Sequence, residues 1–294
     1  MNPTNAVRIG NNFIGDGYPA YVVAEIGINH SGSIDQCRQL IEAAASAGCQ
    51  AVKFQKRTVN VVYSQAELDR PRESPFGTTN GQLKYGLEFG HREYSIINTL
   101  CEEHGLAWFA SPWDLESVGF LEEYAPPCHK IASASLTDLD LVDCIAATGR
   151  PVLLSTGMST IPEIDIAFSR LDPAKVVLMH CTSTYPTEDH EINLACMRTL
   201  QERYAVPVGY SGHERGIATS CAAVARGACV IERHLTLSRD LWGSDQAASL
   251  EPQGFAKMVR DIRAIEKAIG DGVKRVYDSE VPILEKLRRV KSHV

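Results

Sequence analysis

Residues 21–55 read YVVAEIGINHSGSIDQCRQLIEAAASAGCQAVKFQ, and this stretch holds one complete structural unit. YVVAEIG (21–27) is continuously apolar and rich in β-branched residues, the pattern of a parallel strand covered on both faces. Ser33 and Gln36 match a capping box. Ile34, Cys37, Leu40, Ile41 and Ala44 then recur at helical spacing, and Gly48 ends the helix. AVKFQ (51–55) opens the next strand.

The same unit recurs along the chain. Further strand-like runs are AWFASPW (107–113), HKIASA (129–134), VLLST (152–156), VVLMHCTS (176–183), VPVGYSGH (206–213) and CVIERHLT (229–236). Helical stripes follow, as at Leu141, Val142, Ile145 and Ala146, ended by Gly149 and Pro151, and at Phe255, Met258, Val259, Ile262 and Ile265, ended by Gly270. Eight such units in 294 residues predict an α/β fold, a (β/α)8 TIM barrel. An open doubly wound sheet is the alternative, but GINHSGS after the first strand is neither a GxGxxG nor a Walker A loop. VRIGNNFIGDG (7–17) predicts a short N-terminal β-hairpin around Gly-Asp-Gly, plugging the barrel bottom. The expected organisation is one domain over 1–294: hairpin 1–20, barrel 21–275, tail 276–294. Residues 56–90 are too long for an ordinary connection and predict a glycine-rich cover over the site.

Composition narrows the function classes. Hydrophobic residues are 44% and charged residues 22%, which excludes disordered, collagenous and coiled-coil chains. No apolar run is long enough for a membrane span, and MNPTNAVRIG lacks the pattern of a secretory signal. The net charge of −7 without a basic stripe argues against nucleic acid. Nine scattered cysteines without a CxxC pair suit reduced thiols in a cytoplasm, where the Asn29 sequon has no meaning.

Catalytic groups of such barrels sit at the C-terminal ends of the strands. Here those ends carry Glu25; Lys53 and Gln55; Ser111; Lys130 and Ser133; Ser155; Ser183 and Tyr185; Ser211 and His213; Glu232 and His234. Lys53 and Gln55 share one strand face, as do Ser211 and His213, and Glu232 and His234. His213 and His234 end consecutive strands and reach one ion, which suits Mn, Fe, Co or Zn. Two satisfied polar histidines is the plainer reading. Glu232 or Asp245 would add a ligand or orient one. Lys53, Lys130, Ser111, Ser133 and Ser155 converge as an anion site for phosphate or carboxylate. Two readings compete with it: a Schiff-base lysine, and internal pairing of both lysines with Glu25 and Glu232. Trp242 suits stacking on a sugar or plugging its loop. Cys181 suits packing, and EKLRRVKSHV a solvated helix end.

In their order, YVVAEIGINHSGS, AVKFQ, FASPWD, KIAS, PVLLSTGMST, HCTSTYP, GYSGH, VIERHLTL and WGSDQAASLEP resemble the sialic acid synthase family, over roughly residues 6–275. The resemblance implies a phosphoenolpyruvate-dependent synthase of nonulosonic acids. It implies that Glu25 contacts the sugar near the reacting carbonyl, and that Lys53, Ser111, Lys130, Ser133 and Ser155 hold phosphoenolpyruvate. His213 and His234 would bind a divalent metal, usually manganese, with magnesium or cobalt as alternatives. Gln55, Tyr185 and Asp245 would contact the acceptor, and Ser183, Ser211 and Glu232 complete the expected substrate site. N-acetylneuraminate-forming members tend to have asparagine at the Ser183 position. They also carry a C-terminal antifreeze-like domain that lends an arginine to the partner subunit; this sequence stops where that domain would begin, so the expectation is a barrel without it.

The expected function is a metal-dependent condensation of phosphoenolpyruvate with a sugar aldehyde, such as N-acetylmannosamine, by a cytoplasmic homodimer that binds neither nucleic acid nor membrane. The alternatives are a synthase for a phosphorylated aldose, using Arg57, Arg72 or Arg215, a lysine aldolase on free pyruvate, and a non-catalytic sugar-acid-binding barrel.

Overall fold

The computed structural model describes residues 6–290. Residues 1–5 of the expected hairpin span and 291–294 of the expected tail lie outside the described residues.

All eight strand-like runs form parallel strands: β1 (Tyr21–Glu25), β2 (Ala51–Lys56), β3 (Ala107–Pro112), β4 (His129–Ile131), β5 (Val152–Ser155), β6 (Val176–Cys181), β7 (Val208–Gly212) and β8 (Val230–His234). Their spatial order is β3-β2-β1-β8-β7-β6-β5-β4. Sequence neighbours are therefore spatial neighbours, and β8 returns to pair with β1, His234 opposite Glu25. β3 and β4 face each other across the last seam. No strand order reverses, which excludes the doubly wound sheet and leaves the barrel.

Alternation sorts the strand residues into two sets. One set, including Val22, Val52, Phe54, Trp108, Leu154, Leu178 and Ile231, packs outward beneath the helices. The other points inward and changes character along each strand. Its lower layers are apolar, with Tyr21, Val23, Phe109, Leu153, Val177 and Val230 in one buried cluster. Its upper layers are the polar ends. The hairpin, Val7–Ile9 with Asn12–Ile14, adds Val7, Ile9 and Ile14 to that inner cluster and closes the barrel bottom. Its turn falls at Gly10–Asn11 rather than at Gly-Asp-Gly, because Ile9 pairs with Asn12.

Helix α1 (Ile34–Ser46) buries Cys37, Leu40, Ile41 and Ala44 as the periodicity predicts, and Gly48 follows at φ +83°. Only half of the capping box forms. Ser33 Oγ accepts the Gln36 amide at 3.3 Å, but the Ser33 amide donates to the His30 carbonyl, leaving nothing for the Gln36 side chain to accept. The helix Pro252–Ile269 buries Phe255, Met258, Val259 and Ile262, each contributing about 1.5–3 kcal/mol of apolar burial.

Residues 56–90 are not an irregular loop. They fold into short helices Val59–Val62, Gln65–Leu68 and Asn80–Leu87 around a hairpin of Pro71–Ser74 and Gly77–Thr79. Lys56 anchors the insertion, donating to Glu88 Oε1 at 2.7 Å and to the Phe89 carbonyl at 3.1 Å. Among the described residues no helix is long and apolar enough to cross a membrane.

Candidate active site

The barrel mouth holds a cleft of about 210 Å³. Glu25, Lys53, Gln55, Ser111, Lys130, Ser133, Ser155, Ser183, Tyr185, Ser211, His213, Glu232 and His234 all line it. Asp245 lines an adjoining cavity instead, together with Gln55 and Tyr185. Its Oδ2 lies 3.8 Å from His234 Nδ1. Trp242 lines neither cavity and is 41% exposed; the indole at the cleft belongs to Trp113, which stacks under the Arg57 guanidinium at 4.2 Å.

The floor is a buried charge cluster. Lys53 Nζ sits 2.8 Å from Glu25 Oε2 and 3.6 Å from Glu232 Oε1. Lys130 Nζ lies 3.6 Å from the same Glu232 oxygen and donates to Ser155 Oγ at 2.6 Å. Ser111 accepts from Lys53 at 3.4 Å, and Ser211 donates to Glu232 at 3.1 Å. All four charged residues are under 5% exposed. The internal ion pairs that compete with an anion site are thus present, and they place both ammoniums facing the cleft.

Burial works against the charge on Lys53, but Glu232 and Glu25 more than offset it and hold its pKa above the ordinary lysine value. Burial wins at Lys130, whose pKa falls despite Glu232. Burial also opposes ionisation of Glu232, yet Lys130 and Lys53 keep its carboxyl below the usual range. Two cations and two anions balance. Glu232 Oε2 makes no hydrogen bond, so the cluster keeps acceptor capacity for an incoming group.

The upper wall carries the imidazoles. The His213 and His234 rings lie 5.5 Å apart, centre to centre, and Tyr185 packs on His213 at 4.0 Å. His213 Nδ1 lies 2.8 Å from the Thr182 carbonyl, which only accepts, so Nδ1 carries the proton. Burial and the neighbouring His234 push the His213 pKa down to about 3, so the ring is neutral and Nε2 keeps its lone pair. His234 Nδ1 is buried without a hydrogen-bond partner. One oriented imidazole beside one unsatisfied imidazole fits a divalent cation. Among the described residues no group of three His, Cys, Asp or Glu is assembled to hold one.

Two glycines make room for this arrangement. Gly27 has φ +52°, and a Cβ there would stand 2.9 Å from Glu25 Oε1. A Cβ on Gly157 would meet Ser183 Oγ at 2.4 Å and both Cys181 Sγ and Ser133 Oγ at 2.7 Å. Cys181 lines the cleft at 3.0 Å from Ser133 Oγ, so it packs beside that hydroxyl. The sequon residue Asn29 is buried and ties the loop after β8, donating to the Leu235 carbonyl and to Ser249 Oγ.

A family model described as the NeuB family matches residues 40–274. The chain belongs to the NeuB family. It is 36% identical over 280 residues to N-acetylneuraminate-9-phosphate synthase of Homo sapiens, covering 94% of this chain and 78% of that protein. It is 38% identical over 267 residues to N,N'-diacetyllegionaminic acid synthase of Campylobacter jejuni, covering 88% of this chain and 80% of that one. A crystal structure of N-acetylneuraminic acid (sialic acid) synthetase from Leptospira borgpetersenii, in complex with citrate, superimposes with a TM-score of 0.84 at 31% identity, covering 97% of this chain and 98% of that chain.

One part of this NeuB-family site leaves no signal in the strand pattern. Arg233 and Glu214 are fully buried behind the imidazoles. Arg233 Nη1 donates to Glu214 Oε1 at 2.8 Å, to Ser220 Oγ at 2.9 Å and to the Gly216 carbonyl at 2.9 Å, while Tyr210 donates to Glu214 Oε2 at 2.7 Å. The pair joins the residue after His213 to the residue before His234, on the outer face of both strands. Arg233→Met would leave Glu214 buried and unpaired, and should lower unfolding stability by about 3–5 kcal/mol. Adding Glu214→Gln should restore more than half of that loss in urea denaturation; equal stability of the single variant and the parent would show that the pair does not brace the strands.

Proposed function

We propose that this chain condenses phosphoenolpyruvate with an open-chain aldose, giving a 2-keto-3-deoxy sugar acid of the nonulosonic class and inorganic phosphate. The observation that carries the reading is the pair of buried ammoniums, Lys53 and Lys130, facing one cleft with the Ser111 and Ser155 hydroxyls beside them. This is a preformed site for the carboxylate and phosphate of a small dianionic or trianionic substrate. The named activities of the human and Campylobacter relatives, both synthases of such acids, support it.

In this reading Lys53 and Lys130 bind the anionic groups, and Ser133, Ser155 and Ser183 fix their orientation. Glu25 and Gln55, joined at 2.9 Å, orient the aldehyde, and Glu25 assists proton transfer to its oxygen. C3 of phosphoenolpyruvate forms the new bond to the aldehyde carbon. Water adds at C2, and the C2–O bond to phosphate breaks. One proton of the water goes to the new alkoxide and the other to the departing phosphate as the C2 hydroxyl becomes the ketone, so the reaction balances. Holding both substrates together contributes through positioning alone.

His213 and His234 would hold a divalent cation, with manganese the leading assignment and magnesium or cobalt as alternatives. When bound, it supplies Lewis-acid polarisation of the aldehyde oxygen. The charge balance favours such an ion: the cluster is neutral as it stands, and a ligand carrying about three negative charges would otherwise exceed it. The active species we assign is a homodimer working in the cytoplasm.

The test incubates protein, phosphoenolpyruvate, Mn and free or phosphorylated hexosamines, with and without chelator, and follows phosphate release and product mass together. Metal-dependent release with a product equal to aldose plus pyruvate is expected. The lowered pKa of Lys130 is the direction a Schiff-base lysine needs, so borohydride is included. Activity with free pyruvate in chelator, trapped by borohydride, would replace this mechanism with an aldolase.

A further inference from the structure

We propose that Arg57 is a positioning residue of this site: acting through Gln55, it fixes the Glu25 carboxylate in the orientation that meets the aldehyde. The inference rests on the condensation proposed above, in which Glu25 assists proton transfer to the aldehyde oxygen.

Residues two apart on a strand share a face, so Lys53, Gln55 and Arg57 climb one face in order, Arg57 standing just past the end of β2. Lys53 and Gln55 line the cleft, and Gln55 and Arg57 line the cavity adjoining it. Their polar groups join in series. The Arg57 guanidinium donates through Nη2 to Gln55 Oε1. Gln55 Nε2 donates to Glu25 Oε1 at 2.9 Å, and Lys53 Nζ pairs with the other Glu25 oxygen at 2.8 Å. A guanidinium only donates and a carboxylate only accepts, so the Gln55 amide has one orientation: oxygen toward Arg57, nitrogen toward Glu25. A cation on the amide oxygen also strengthens the hydrogen bond that the amide N–H makes on its far side.

Arg57 is itself held in place from several sides. Its amide donates to Glu88 Oε1 at 3.1 Å, its carbonyl accepts from Lys56 Nζ at 3.2 Å, and its guanidinium lies over the Trp113 ring at 4.2 Å. Among the described residues that guanidinium forms no ion pair, and its Nε is buried without a partner. An unmade buried hydrogen bond costs stability, so the placement is explained by what Nη2 does, which is to hold Gln55. The backbone makes room at the same point. A Cβ on Gly27 would stand 2.9 Å from Glu25 Oε1 and 3.1 Å from Gln55 Nε2, the two atoms that the bond joins.

The test is a double-mutant cycle between Arg57 and Gln55, read in the phosphate-release assay with the hexosamines named above, beside NMR spectra of the side-chain amides in the free protein. Arg57→Met keeps an apolar contact with Trp113, and should lower kcat about tenfold while KM for phosphoenolpyruvate stays within about twofold. Arg57→Lys, which can still donate to the amide oxygen, should recover most of that loss. Gln55→Leu should cost at least as much as Arg57→Met, and adding Arg57→Met to it should cost nothing further, because Arg57 acts through Gln55. Equal losses from Arg57→Met in both backgrounds would overturn the proposal and make Arg57 a direct substrate contact. In the spectra, the Gln55 pair of N–H signals is assigned by its disappearance in Gln55→Leu. It should shift and broaden in Arg57→Met, where the amide is free to turn. An unmoved pair would also overturn the proposal, without reference to turnover. If the parent condenses no aldose, a pair that moves keeps the hold of Arg57 on Gln55 while the condensation falls.

Discussion

Replacing Lys53 with methionine is expected to lower kcat/KM for phosphoenolpyruvate by about 10²- to 10³-fold, the range for breaking one side of a buried charge cluster. Lys53 is 3% exposed and sits between Glu25 and Glu232, at 2.8 and 3.6 Å. Methionine nearly conserves the volume but leaves two carboxylates facing each other with only Lys130 nearby. An incoming anion then meets net negative charge where it met a balanced cluster. The loss should fall on KM for phosphoenolpyruvate more than on KM for the aldose. An unchanged KM for phosphoenolpyruvate would refute the anion-site role.

His213→Ala and His234→Ala are each expected to abolish metal-supported turnover while the fold survives. The two rings stand at the cleft wall above the apolar inner layers that close the barrel bottom, so truncation leaves that core intact. What is lost is a lone pair held in place: at His213 by the Thr182 carbonyl, at His234 by strand β8 itself. Loss of an orienting partner alone costs 10- to 100-fold in metal affinity, so loss of a ligand should exceed about 100-fold. Metal content after dialysis against Mn, measured beside circular dichroism, reads this without reference to activity. Parent-like stoichiometry and turnover in either variant would sink the assignment.

Much of the site is legible in the order of residues alone. Lysine and glutamate at the end of an otherwise apolar, two-sided buried strand have few places to go except the barrel mouth. Strand parity then places Lys53 with Gln55, Ser211 with His213 and Glu232 with His234. All of them line one cleft. Where sequence and structure part, the deciding interaction is not local. Asp245 and Trp242 lie in one loop, yet only Asp245 reaches a cavity wall, because that depends on how the loop packs after β8. The insertion at 56–90 reads as an irregular cover because its helices are too short to show a period, and its anchoring pair, Lys56 with Glu88, is 32 residues apart.

The eight-unit barrel, the apolar lower layers, the polar mouth and the family are all written in the linear chain. The first three follow from periods of 2 and 3.6 residues and from the burial cost of charge, which are local quantities, and the family from the order of the motifs. Three features are not local: which carboxylate each lysine faces, the brace from Arg233 through Glu214 to the imidazole-bearing strands, and the stack of Arg57 on Trp113. These pairings join residues far apart in the chain, from 19 positions for Arg233 with Glu214 to 179 for Lys53 with Glu232. They exist only once the ring of strands has closed and β8 has taken its register on β1.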